Sequence, residues 1–217
     1  MGLRIGSAPL PDGGTVPGMA GAEARGDPGV HPSPLLGELL ERFEPGRDLR
    51  VLDLGPASCR NLEHYSVFAS VVRFADLRAA VVDSEAPDPD ERSFGEKLDV
   101  LLPLTDRPFD LVLAWDLLNY LDGDRAPRLV RHLAAVAAPG ARLHATIVTA
   151  ATLSAEPLSY QIVSPGEVAY GPACRPVPAP QLPPAKVERW LEPFRVSRSV
   201  VLRHGVRELL AVLGEPP

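Results

Sequence analysis

The chain has 217 residues, enough for one domain with a substantial core and too few for two full ones. Hydrophobic residues at 45% and charged residues at 23% are ordinary for a globular protein. A net charge of −6 argues against a general nucleic-acid or anionic-membrane binder, both of which want a basic surface, and a small-molecule partner fits better.

Cys59 and Cys174 lie far apart and form no Cys-x-x-Cys pair, so neither a disulfide framework nor a zinc site is expected, and a reducing cytoplasm is the default location. No pair among the five histidines has metal-ligand spacing, so no metal is expected either. No run approaches 18 apolar residues, and none at the start suits a signal peptide.

Residues 1–32 carry eight glycines and five prolines and show no periodicity. A segment this poor in large apolar groups cannot offset its ordering entropy, so a disordered or loosely draped tail is expected, with the folded domain at 33–217. Ser33 can cap a helix whose first position is Pro34 and whose stripe is Leu35, Leu36, Leu39, Leu40 and Phe43; Pro45-Gly46 ends it.

Leu49 to Gly55 is a Leu- and Val-rich run closed by glycine, the pattern of a buried central strand feeding a tight turn. In an open α/β sheet, ligands bind outside the carboxyl ends of the strands, and Asp53 and Gly55 belong to that end. Leu62, Tyr65, Ala69 and Val72 predict a helix from about Arg60. A second apolar run, Val71 to Phe74, delivers Asp76 and Leu77 about twenty residues beyond the glycine, where dinucleotide folds bind a ribose hydroxyl.

From Arg78 to Lys97 the pattern weakens. Leu98 to Leu102 is a candidate third strand, and Phe109 to Trp115 a clearer fourth that delivers Asp116 and Tyr120 to the carboxyl edge. Asp122 or Asp124 can cap the next helix, stopped by Pro139-Gly140, and Arg142 to Thr149 is a fifth strand. Six prolines between Gly171 and Pro184 indicate an extended loop without regular structure, and Lys186 to Leu191 is a short helix. Val196 to Arg203 and Val206 to Leu213 form a hairpin turning at His204-Gly205.

Strands alternating with helices and then a C-terminal antiparallel pair resemble the class I S-adenosylmethionine-dependent methyltransferases. Val51-Leu52-Asp53-Leu54-Gly55 is similar to the family's first motif, Phe74-Ala75-Asp76-Leu77 to its ribose-binding segment, and Asp99 to the position near the adenine. Leu104 to Leu113 resembles the run into the fourth strand, and Ala138 to Leu143 the turn into the fifth.

The resemblance implies a Rossmann-like α/β fold, with an open, mostly parallel sheet, a C-terminal antiparallel hairpin and helices on both faces. It implies S-adenosylmethionine as methyl donor, S-adenosylhomocysteine as product, and a small molecule as acceptor. Asp53, Gly55, Pro56 and Ala57 would cradle the methionine portion, Asp76 and Leu77 the ribose, Asp99 and Val100 the adenine, and Trp115 and Asp116 the substrate side.

The family carries three glycines in the first turn, where this chain has Gly55, Ala57 and Cys59. That departure motivates an alternative, a methyltransferase-like module without activity. In-line methyl transfer draws mainly on alignment, which supplies on the order of 7–11 kcal/mol, so sparse acid–base machinery does not exclude catalysis. If a proton must leave the acceptor, Asp116, Tyr120 or His144 could take it. The segment Ser154 to Pro184, with Tyr160 and Tyr170, is positioned to form a lid.

Overall fold

The computed structural model describes residues 29–46, 48–82, 93–171 and 173–214. In chain order the elements begin with β1 (Val30–Pro32), α1 (Pro34–Glu41), β2 (Leu49–Asp53), α2 (Cys59–Tyr65), β3 (Ala69–Phe74), α3 (Arg78–Val81) and α4 (Phe94–Leu101). β4 (Phe109–Trp115), α5 (Arg125–Val136), β5 (Ala137–Val148), β6 (Thr152–Ser154), β7 (Tyr160–Ser164) and β8 (Glu167–Tyr170) follow. β9 (Pro176–Pro178), α6 (Pro184–Leu191), β10 (Phe194–Leu202) and β11 (Val206–Leu213) complete the set.

Six strands form the main sheet in the order β10-β11-β5-β4-β2-β3. The neighbours β3, β2, β4 and β5 are parallel, and β11 runs antiparallel to both β5 and β10. From β2 the chain moves outward to β3, and from β4 it moves the opposite way to β5, so the order reverses between β2 and β4. That reversal opens the crevice where open α/β sheets hold their ligands.

The central strands form because their side chains are buried on both faces. Leu52, Val112, Leu143 and Ala145 pack with α3, α4, α5 and α6 on one side. Val51, Leu111, Leu113 and Trp115 pack on the other with α1, α2 and a second, three-stranded sheet of order β1-β8-β7. This is the expected Rossmann-like architecture, with a terminal hairpin turning at Gly205 (φ +79°) and helices on both faces. No helix of the described residues is long and apolar enough to cross a membrane.

Four expectations need correction. The third strand at Leu98–Leu102 does not form, because that run lies in α4 and its C-cap. Ser93 and Glu96 make a reciprocal capping box that fixes the helix start. Leu98 and Leu102 are buried one turn apart while Asp99 and Val100 face outward, which is helical spacing.

The helix expected from Arg60 through Val72 is only α2, since Ala69 and Val72 belong to β3, and its buried face is Asn61 and Tyr65 rather than Leu62. Within the proline-rich segment Pro176–Pro178 pairs with β6, which prolines tolerate at an unshared edge. Regular structure also begins at Val30, ahead of the expected boundary, because β1 adds to β8. The rest of the expected tail, residues 1–28, lies outside the described residues.

Candidate functional site

Three neighbouring parallel strands each lead to a carboxylate at the same edge. Asp53 ends β2, Asp76 follows β3 by two residues, and Asp116 directly follows β4. They sit at the reversal of strand order, so the fold brings the expected ligand side together there.

Asp53 has no exposed surface, and its four bonds come from its own chain. The Gly55 amide donates to Oδ1 at 2.9 Å and the Trp115 indole N–H at 2.6 Å. The Tyr65 hydroxyl donates to Oδ2 at 2.8 Å and the Asn61 amide at 3.3 Å. Burial nevertheless raises the Asp53 pKa above the usual carboxylate value, against the opposing pull of those donors.

Trp115 has φ +48°, a left-handed backbone that a bulky residue adopts only when its surroundings hold it there. This turn carries the indole across the crevice onto Gly55, where an added Cβ would stand 3.3 Å from both Cδ1 and Nε1. Tyr160 stacks on the Trp115 indole, with ring centroids 5.0 Å apart and planes 5° from parallel. Asn61 holds the same strand, donating to the Tyr160 carbonyl at 3.1 Å and accepting from the Ile162 amide at 2.8 Å.

Asp76 is partly exposed and forked by Arg78, which donates from Nε at 2.9 Å, from Nη2 at 2.8 Å and from its backbone amide at 3.1 Å. The guanidinium hydrogen bond holds the carboxyl below its usual range. Arg78 also donates to the Ser159 hydroxyl at 2.6 Å. Leu77 is fully buried, with its amide bonded to the Leu54 carbonyl at 3.1 Å, so its side chain is core.

Asp116 is 2% exposed and accepts from the Leu158 amide at 3.1 Å through Oδ2. Among the described residues its Oδ1 has no hydrogen-bond partner. Burial raises its pKa to about 7. The other two candidate proton acceptors are engaged elsewhere. The Tyr120 hydroxyl lies within hydrogen-bond reach of the Ser154 and Glu156 carbonyls, and burial pushes it up. Buried His144 meets Glu208 at 3.2 Å.

Pro56, Ala57 and Cys59 line the outer side of the first turn, with Ala57 and Cys59 exposed. The methyl and thiol that replace two glycines therefore point to solvent. Asp99 and Val100 are not gathered with the others: both are on α4 and exposed, with the Asp99 carboxylate 3.8 Å from His132 of α5. The resemblance would set both near an adenine, and the structure places them on a helix rather than on the expected third strand.

Four participants were not anticipated as site residues: Asn61, Tyr65, Arg78 and Ser159. Asn61 and Tyr65 sit four apart on α2, and a buried polar pair at that spacing behind the first turn is the signal that points to them.

The amino-acid end of an S-adenosyl donor, placed by resemblance beside Gly55, does not fit this form of the crevice, because the Trp115 indole fills that face and Asp53 has its donors already.

No family model matches the chain, and no curated protein matches it. Among solved structures, it is similar to an S-adenosylmethionine-dependent methyltransferase from Mesorhizobium loti, at 18% identity over 81% of this chain and 96% of that one, with TM-score 0.49. It is similar also to 1,6-didemethyltoxoflavin-N1-methyltransferase of Burkholderia thailandensis with bound 1,6-didemethyltoxoflavin and S-adenosylhomocysteine, at 14% identity, 84% and 76% coverage and TM-score 0.43. A third is the N-methyltransferase NodS of Bradyrhizobium japonicum in complex with S-adenosyl-L-homocysteine, at 14% identity, 82% and 86% coverage and TM-score 0.44.

Proposed function

We propose that the chain is a methyltransferase of the class I S-adenosylmethionine-dependent type, acting on a small molecule by direct in-line transfer. The observation that carries this reading is the convergence of Asp53, Asp76 and Asp116 at the carboxyl ends of three adjacent parallel strands, at the reversal of strand order. In it, Asp76 faces the ribose of the donor, and the first turn from Asp53 to Ala57 takes the amino-acid end only in a form in which the Trp115 indole has left the face of Gly55. Asp116 faces the acceptor, with an Oδ1 that has no hydrogen-bond partner among the described residues and a pKa of about 7 that suit a proton acceptor near neutral pH.

A second reading, a methyltransferase-like binding or regulatory module without activity, is favoured by the Trp115 contact with Asp53 and Gly55. Thermal melting with S-adenosylmethionine separates the two. A bound ligand at a hundredfold excess over its Kd adds about 2.7 kcal/mol of stability, so the first reading predicts a rise of several degrees that Asp76→Ala diminishes. No rise at millimolar ligand leaves the second.

A further inference from the structure

We infer that the groove between α5, α6 and the start of β10 is a second binding site, for a small organic carboxylate with an apolar body, its head held among Arg131, Arg189 and Arg195. The groove has a volume of about 940 Å³, within the range of small-molecule sites.

The fold gathers this groove at the amino ends of the parallel strands. Ala137 opens β5 opposite Phe109, which opens β4, and Leu213 closes β11 opposite Phe194, which opens β10. Asp53, Asp76 and Asp116 lie at the other end of the same sheet, so the groove is independent of the donor reading. Pro127, Arg131 and Ala134 recur at four- and three-residue steps on α5, which turns one face of that helix to the groove. Arg189 comes from α6 and Arg195 from β10.

The lining is apolar below and cationic at the rim. Ala134, Ala137 and Leu213 make the floor, and the three arginines are exposed above it. On a chain with 28 acidic and 22 basic residues, surface arginines elsewhere find carboxylates: Arg42 and Arg198 share Glu38, and Arg107 takes Asp48. Among the described residues, the three at the groove have none, and Arg131 donates only to the Pro127 carbonyl of its own helix, at 3.3 Å. Glu192 is the one acid of the lining, so three arginines less one glutamate leave two positive charges in excess. A single carboxylate head accepts paired N–H bonds from a guanidinium while its apolar body covers the floor. An acidic peptide fits less well, because its further carboxylates would run against Glu192.

Titration of the isotope-labelled full chain with octanoate, octanol and acetate, followed by the amide signals in NMR, separates head from body. Octanoate is expected to move the signals of Arg189, Arg195 and Gly214. It is expected to bind roughly tenfold more tightly than octanol, which has the body without the charge, or acetate, which has the charge without the body. Neutralising an exposed ion pair costs a few-fold, so Arg189→Gln with Arg195→Gln is expected to weaken octanoate roughly tenfold and leave octanol within about twofold.

Unchanged octanol binding shows that the double variant keeps its fold, and Arg131→Gln, on a different element, serves as the second variant should it fold poorly. The site is overturned if millimolar octanoate moves none of those signals, if octanol binds as tightly, or if the variants bind octanoate as the parent does. If a hexapeptide of alternating glutamate and leucine moves the same signals at lower concentration than octanoate, the groove belongs to a protein partner and the small ligand is overturned. None of these outcomes bears on the first site, which S-adenosylhomocysteine reports separately.

Discussion

Asp116→Asn is expected to stabilise the protein, and increasingly so as pH rises. The carboxyl is buried after β4, and one oxygen accepts from Leu158, a bond that an asparagine carbonyl preserves. Burial moves its pKa from 3.8 to about 7. A folded-state value above the unfolded one means that the folded protein binds the proton more tightly. The contribution to stability is then full below about pH 4 and lost as pH climbs through about 7.

At about 1.4 kcal/mol per pKa unit, the cost of carrying the charged form reaches roughly 4 kcal/mol above pH 7. The asparagine imitates the protonated carboxyl, so constant differences between the variants cancel when pH is varied. Urea unfolding of both proteins between about pH 5 and about pH 8.5 is expected to show the gap in favour of Asp116→Asn widening by roughly 2–3 kcal/mol. Parallel stability curves across that range would refute the claim that burial of this carboxylate outweighs its bond from the Leu158 amide.

Two further substitutions test the frame around the site. Buried Glu208 on β11 accepts from the Leu35 amide at the start of α1 at 2.9 Å, from the Ser33 hydroxyl, and from His144. Burial raises its pKa, but those bonds outweigh it and hold the carboxyl below its usual value, so its contribution is present above the ordinary glutamate range and is lost as pH falls. Glu208→Gln is expected to cost about 1–3 kcal/mol in urea unfolding at neutral pH and less in acid. Gly37→Ala places a Cβ 2.7 Å from the Gly166 Cα, a backbone atom in the turn between β7 and β8, and is expected to lower stability by about 1–3 kcal/mol, measured by thermal melting.

The central sheet was legible because its strands are buried on both faces, and apolar runs such as Val51 to Leu54 and Leu111 to Trp115 record that directly. Leu98 to Leu102 was misread for the same reason: four apolar residues among five serve a strand or one face of a helix equally, and only the upstream Ser93 and Glu96 pair decides.

At the site, sequence spacing located Asp53, Gly55, Asp76 and Asp116 at one edge, but it could not show how they are partnered. Besides the nearby Gly55 amide, the bonds that saturate Asp53 come from Asn61, Tyr65 and Trp115, residues 8, 12 and 62 positions away. Their convergence depends on the inward rotation of α2 and on a positive φ at Trp115, neither of which leaves a periodic trace. The replaced glycines drew attention to Ala57 and Cys59, both exposed, while the space beside Gly55 is filled from a distant strand.

Calorimetric titration of the full chain with S-adenosylhomocysteine tests the donor site most directly. The account predicts one-to-one binding, weakened at least tenfold by Asp76→Asn. Absence of binding at millimolar ligand would contradict it.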